Sequence, residues 1–247
     1  MMPSHAMLLA AGLGLRMRPL TLTVPKPLIP VAGRTMLDRI LDHLDAAGVG
    51  QRVVNTHWLG ETLHRHLAGR IDIVFSDEAE LLETGGGVLK ALPLLGADPF
   101  FVCNADIVWT NGPAPALGRL ADAWDGEKMD ALLLMQRTAT AFGYDGPGDF
   151  FLDSAGRATR RREKEVSPTL FAGVQILHPR LFSEAAPGKF SLNRLYDRAE
   201  ADGRLYGIVH DGGWYHIGTP DALAEAEDLI GAGAGAGAPA DLLPSVT

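Results

Sequence analysis

The sequence holds one cysteine, Cys103. A single thiol cannot close a disulfide within the chain or build a cysteine-type zinc site, so a reducing, cytoplasmic setting is expected. Positive charge is also short. There are 22 lysines and arginines against 30 aspartates and glutamates, a formal net charge of −8. A groove that tracks a nucleic-acid backbone carries a basic excess, so no nucleic-acid partner is expected. A substrate bearing phosphates must then be held by a few placed cations, a metal and backbone N–H groups. No apolar run reaches the ~18 residues that a membrane-crossing helix needs. The apolar run at 6–11 is strand-length and follows no basic leader, so neither a signal peptide nor a membrane partner is expected. No internal repeat is visible.

Core-forming residues are plentiful. Hydrophobic side chains make up 47% of the 247 residues, enough for one sizeable α/β domain. Strands are expected at 6–11, 52–56, 71–75, 100–103 and 131–136. Helices at 35–47, 61–67, 84–92 and 115–124 fall between them, the first capped by Thr35 and stopped by Gly48. This alternation predicts a mostly parallel central sheet with helices on both faces. The second half is richer in strands, at 149–152, 170–177 and 205–209, with helices near 192–201 and 221–230. It is expected to extend the sheet, making it mixed, and to build the wall facing a second substrate. The single domain is read as 1–230, divided near 135. Residues 231–238 alternate glycine and alanine, and 231–247 are expected to form a flexible tail.

Residues 8–30 read LLAAGLGLRMRPLTLTVPKPLIP. A buried strand delivers a glycine loop at its carboxyl end, where open α/β sheets place ligands. Gly12 and Gly14 lack the Cβ atoms that would keep backbone amides away from phosphate oxygens. Arg16 and Arg18 offer forked donors, and Lys26 a point charge stiffened by Pro25 and Pro27. The pattern is neither a Walker loop nor a dinucleotide fingerprint. A second glycine cluster, Leu82-Glu-Thr-Gly-Gly-Gly87, leaves bare backbone for a base or ribose at a helix start; a plain glycine-rich cap is the other reading. Asp106 ends the strand at 100–103, on the same sheet edge as the glycine loop. It either holds Mg²⁺ beside a triphosphate or caps a turn.

Together these residues resemble the sugar-1-phosphate nucleotidyltransferase family, whose signature runs G-x-G-x-R, then a proline-rich stretch, then P-K-P. The resemblance spans residues 7–230 and implies a Rossmann-like, GT-A-like fold. It implies a nucleotide-binding half over about 1–135 and a sugar-phosphate-binding half over about 136–230. The partners it implies are a nucleoside triphosphate and a sugar 1-phosphate; oligomeric state stays open. The loop of Leu9, Ala10, Ala11, Gly12 and Gly14 is expected to wrap the triphosphate. Arg16 would meet the outer phosphates and Lys26 the α-phosphate, with Glu83, Gly85, Gly86 and Asn104 also on the nucleotide. On the acceptor side, Glu163 and Lys164 match a Glu-Lys pair that holds the sugar and its phosphate, although 160–164 also reads as a solvated charge run. Gly143, Asp149 and Gly173 are further expected sugar contacts. Catalysis would rest on Arg16, Lys26, Asp106 and Lys164.

Two departures stand out. Ala105 replaces a glycine before Asp106. His216 replaces the aspartate of the family's W-x-D-x-G-T, the second metal ligand there. Imidazole suits Mn²⁺ better than Mg²⁺, so the metal site is expected at Asp106 with His216 either a ligand or a structural group. The L-E-T-G-G-G form resembles the branch that joins UTP to N-acetylmuramate 1-phosphate in cell-wall recycling. Mannose, glucose or heptose 1-phosphate with another triphosphate is an alternative, and a choline-phosphate cytidylyltransferase a more remote one. A non-catalytic nucleotide-sugar sensor, a class the family also contains, is another.

Overall fold

The computed structural model describes residues 2–235. The chain enters the middle of a nine-stranded sheet through β1 (His5–Leu9). The following loop is not irregular throughout. It folds into 3-10 turns at Leu15–Met17, Leu20–Leu22 and Lys26–Leu28 before a small hairpin of β2 (Pro30–Val31) and β3 (Arg34–Thr35). Helix α1 (Met36–Ala46) starts at its expected cap, where the Thr35 hydroxyl accepts from the Asp38 N–H at 3.0 Å. Its Leu37, Ile40, Leu41 and Leu44 recur at helical spacing and are fully buried, each contributing roughly 1.5–3 kcal/mol.

Then come β4 (Gln51–Thr56), α2 (Gly60–Leu67), β5 (Ile73–Asp77), α3 (Glu83–Leu95) and β6 (Phe100–Asn104). β1 pairs in parallel with β4 on one side and β6 on the other, and β4 with β5. The carboxyl ends of all four strands therefore meet one edge. β5 begins two residues later than hydropathy suggests, because pairing with β4 starts at Arg52–Ile73 and Ile71 is fully exposed.

Buried Arg52 holds the turn ahead of β5, pairing with Asp72 and, at 2.7 Å, with Asp45. Arg70 bridges the same two carboxylates at 2.8 and 2.6 Å. Its hydrogen bonds pull the Asp72 carboxyl down to about 2, against burial that pushes it up. A carboxyl lowered by folding adds stability above its unfolded value and loses it as pH falls through its folded value. The urea midpoint is therefore expected to drop between about pH 4 and pH 2, and Asp72→Asn to flatten the curve in that window; an unchanged slope would remove this network from the acid response.

The second half adds β7 (Ile107–Trp109), α4 (Ala116–Ala123), β8 (Ala131–Arg137), β9 (Phe150–Leu152), β10 (Ala158–Arg160) and β11 (Thr169–Leu177). After them come α5 (Asn193–Ala201), β12 (Leu205–Val209), β13 (Trp214–His216) and α6 (Pro220–Gly235). β11 runs antiparallel to β6 and β8, β12 lies parallel to β8, and the β9–β10 hairpin hangs from the start of β11. The sheet is mixed and mostly parallel at its core, as expected. Successive β1 residues serve opposite faces: Leu8 packs with α1, α2 and α4, and Met7 with α3 and α5.

Two features depart from the sequence reading. β7 and β13, each three residues long and too short to show a period, pair as a separate antiparallel ribbon with His216 opposite Ile107. Helix α6 runs to Gly235, through the first five residues of the stretch expected to be a flexible tail. Its Leu223, Ala226 and Ile230 pack against Met17, Val31 and Ile217, which docks the helix ahead of that stretch. The rest of that stretch, 236–247, lies outside the described residues.

Candidate active site

A cleft of about 640 Å³ opens where β1, β4 and β6 end. Leu9, Ala10, Ala11, Gly12, Gly14 and Arg16 form one wall, with Lys26 behind them. Glu83 and Thr84, at the start of α3, form another, and Asn104 and Asp106 lie on the floor side. Most of the residues expected around a nucleotide are thus brought together from segments far apart in sequence.

Gly14 adopts a left-handed φ of 59°, and a Cβ there would sit 2.8 Å from the Thr21 methyl and 3.1 Å from Lys26 Cβ. Only glycine lets the 15–17 turn close so tightly on the lysine. The Lys26 side chain is 8% exposed, and its Nζ lies 2.7 Å from Asp106 Oδ2. Asp106 itself is 42% exposed to the cleft. Arg16 is exposed and has no ion-pair partner among the described residues, so its guanidinium is free for an anion.

The fit of a metal rests on Asp106. Its Oδ2 meets Lys26, while Oδ1 has no hydrogen-bond partner among the described residues. Among those residues no group of three or more His, Cys, Asp and Glu gathers into a cage. Mg²⁺ is commonly held by one or two carboxylates with substrate phosphates and water completing the shell, and this arrangement fits that mode. His216 lies close by: a Cβ on Gly218 would be 2.8 Å from His216 Nε2 and 3.2 Å from Arg16 Nη1. Burial, then the charges of Lys26 and Arg16, lower its pKa, which keeps the imidazole neutral near pH 7.

The triple glycine has a packing role that the motif did not suggest. Gly85 and Gly86 are buried inside the first turn of α3, and their N–H groups donate to the Phe190 carbonyl at 2.9 and 3.1 Å. A Cβ on Gly85 would overlap the Phe190 ring, and one on Gly86 the Gly188 carbonyl oxygen. Their bare backbone admits the 188–191 segment, and neither residue lines the cleft. The cleft wall there is Glu83 and Thr84, and Glu83 holds a left-handed φ of 60°. Non-glycine residues in that region cost roughly 1–3 kcal/mol and cluster at functional sites.

The acceptor residues do not share this cleft. Asp149 and Glu163 line a second opening of about 480 Å³ with Arg160, Arg161 and Asn193. Asp149 also accepts from the Phe171 N–H at 2.9 Å. Lys164 is exposed, lines neither opening and holds a φ of 72°. Gly143 backs onto the His216 carbonyl, and Gly173 sits at the register shift of β11 against Asn104. Ser191 lines the first cleft and Asn193 the second opening, so the head of α5 joins them.

Sequence reasoning missed Asn55, Thr84, Ser191 and Gly218 on the cleft wall. Asn55 carried no clear signal, since β4 reads QRVVNT and holds three other polar residues. Thr84 stands inside the Leu82–Gly87 motif, but the nucleotide contacts expected there are Glu83, Gly85 and Gly86. Ser191 comes from a remote loop and carries no local mark, whereas Gly218 is the glycine of the stretch that resembles W-x-D-x-G-T.

A sequence profile of the family described as Nucleotidyl transferase matches residues 5–232. The N-acetylmuramate alpha-1-phosphate uridylyltransferase of Caulobacter vibrioides is 42% identical over 232 residues, which cover 91% of this chain and 96% of that one. The enzyme of the same name from Neisseria meningitidis is 37% identical over 92% of this chain and 98% of its own. Among solved structures, a UDP-glucose pyrophosphorylase complexed with UDP-glucose superposes with a TM-score of 0.77. It is 18% identical and covers 93% of this chain and 98% of its own, a likeness of fold.

Proposed function

The chain belongs to the nucleotidyl transferase family, and on that premise we propose that it transfers a uridylyl group from UTP to N-acetylmuramate 1-phosphate, releasing pyrophosphate. The observation that carries the reading is the buried Lys26 ammonium, 2.7 Å from Asp106 beneath the glycine loop of the cleft. The names of the two relatives supply the substrates. A cytoplasmic role in cell-wall recycling follows from that acceptor. No described helix is long and apolar enough to cross a membrane.

The reaction is an in-line displacement. An oxygen of the sugar phosphate bonds to the α-phosphorus, and the bond from that phosphorus to the bridging oxygen breaks as pyrophosphate leaves. The attacking oxygen is already anionic, so no strong general base is required. The protein's work is orientation and neutralisation of charge. N–H groups of the glycine loop cradle the triphosphate, Arg16 meets its outer phosphates, and Lys26 faces the α-phosphate. Mg²⁺ on Asp106 would offset phosphate charge, with Mn²⁺ a possible substitute and His216 a neutral neighbour. Glu163 and Asp149 bind sugar hydroxyls, and Lys164, at the tip of an exposed loop, reaches the acceptor phosphate.

Pyrophosphate release over four triphosphates and a panel of N-acetylmuramate, mannose, glucose and heptose 1-phosphates, each with Mg²⁺ and Mn²⁺, tests this. UTP with N-acetylmuramate 1-phosphate should give the highest kcat/KM, by about tenfold or more, the scale on which binding contacts separate similar substrates. A different best pair would replace the substrates. Nucleotide binding with no release from any pair would make the chain a sensor.

A further inference from the structure

Just past β5, Glu78 is a carboxylate 5% exposed that lines neither opening. Its Oε1 accepts from Asn55 Nδ2 at 2.7 Å and its Oε2 from the Leu82 N–H at 2.9 Å. Asn55, 3% exposed, in turn accepts at Oδ1 from the Ala10 N–H at 2.7 Å. Ala10 begins the phosphate-facing wall of the cleft, and Leu82 immediately precedes Glu83 and Thr84 of the opposite wall. Two buried side chains in series, Asn55 and Glu78, therefore tie both walls together. The Glu78 backbone is fixed as well: its N–H donates to the Thr56 carbonyl at 2.8 Å, and His57 Nδ1 lies 2.9 Å from its carbonyl oxygen. Helix α3 presses bare backbone onto the pair, since a Cβ on Gly87 would sit 2.8 Å from Glu78 Oε1 and 2.9 Å from Asn55 Nδ2.

Burying a carboxylate is costly unless its oxygens are hydrogen-bonded, and here both are. A surface ion pair would hold the walls only loosely, whereas this relay is buried and directional. Every donor meets an acceptor in one order, from Ala10 through Asn55 and Glu78 to Leu82.

We propose that Glu78 is a positioning residue, which sets the spacing of the two cleft walls through Asn55 and thereby the affinity for the nucleoside triphosphate. The proposal rests on reading this cleft as the nucleotide site. It assigns Glu78 no contact with substrate and no part in the acceptor step.

The polarity of the relay supplies the test. Glu78→Gln places an amide donor against a donor, whichever way either amide turns. Asn55→Asp sets one carboxylate against another. The double substitution restores the order with net charge unchanged. The new amide donates to the new carboxylate, whose other oxygen still accepts from Ala10, and the amide oxygen still accepts from Leu82.

The affinity for UTP, ATP, CTP and GTP is measured by calorimetry, with KM and kcat for both substrates and the Tm. Each single variant should weaken the best triphosphate about tenfold, in Kd and KM, and leave the acceptor KM within about twofold. The double variant should return to within about threefold of the wild type, a coupling that independent sites do not show. Singles that lower Tm yet leave the nucleotide Kd unchanged overturn the proposal, and so does a double variant weaker than either single; both leave the proposed function standing. A wild-type chain that binds none of the four triphosphates overturns the function itself, and the proposal with it.

Discussion

Lys26→Ala lowers the rate of pyrophosphate release at saturating substrate by about 10³-fold, in the range seen when a placed electrostatic group is removed from a reacting phosphate or oxyanion. The triphosphate KM changes much less, because the loop N–H groups and Arg16 still hold the ground state. The size of the effect follows from the burial of Lys26 and its fixed aim. Pro25 and Pro27 flank it, the 3-10 turn Lys26–Leu28 fixes its backbone, and Gly14 closes over its Cβ. Lys26→Arg should rescue little, since a planar fork does not present its charge as the compact ammonium does. Deletion also strips Asp106 of its partner, so the losses from Lys26→Ala and Asp106→Ala should not add. Single-turnover release, with a Tm showing the variant folded, reads the result. Near-normal release would remove Lys26 from the mechanism.

Gly86→Val destabilises the fold by about 3 kcal/mol, the upper end of overpacking costs. At ~2–4 °C per kcal/mol for a chain of this size, Tm falls by roughly 10 °C. A Cβ there would overlap the Gly188 carbonyl oxygen and lie 3.1 Å from Leu82 Cβ, and a backbone carbonyl cannot rotate away. The 188–191 segment must lift instead. It is tied to the same turn by Phe190 N–H to the Leu82 carbonyl at 3.1 Å and by Leu192 N–H to Thr84 Oγ1 at 3.0 Å. Nucleotide affinity should therefore fall with Tm. Gly118, inside α4 with open space around it, is the matched control. There Gly118→Ala should raise stability by roughly 0.5–1 kcal/mol through helix propensity. Calorimetry on both variants decides whether close approach, not glycine content, explains the triplet.

The central strands and α1 could be read because their signals are local. A six-residue apolar run stopped by Gly12 gave β1, and Thr35 with leucines at helical spacing gave α1 almost to the residue. The mixed sheet was legible from the change of rhythm past residue 136. That Gly14, Arg16, Lys26 and Asp106 share one cleft was legible because those residue types have few other reasons to meet at one sheet edge. The packing role of Gly85 and Gly86 was not legible, because a bare backbone offers the same opening to a ligand and to another stretch of chain, and only tertiary structure brings Phe190 and Gly188 against it. Glu78 and Asn55 escaped notice for a related reason. Their hydrogen bonds join β1, β4 and the approach to α3, and no spacing in the sequence encodes a contact across 45 residues. The ribbon of β7 and β13, whose Ile107, Trp109 and Trp214 are buried in the core, is too short for hydropathy to mark.

The contacts that complete the cleft are among the longest in the chain. Lys26 meets Asp106 across 80 residues, and Thr84 meets Leu192 across 108. Such contacts form only after long loops have closed, which places them late in the order of folding. A chain with its parallel strands assembled but the 188–192 segment undocked has an open trough where the finished molecule has a cleft. Nucleotide then has little to hold until the last segment docks. Its binding energy goes almost wholly to the complete fold, so the substrate acts as a selective stabiliser of finished molecules over nearly finished ones.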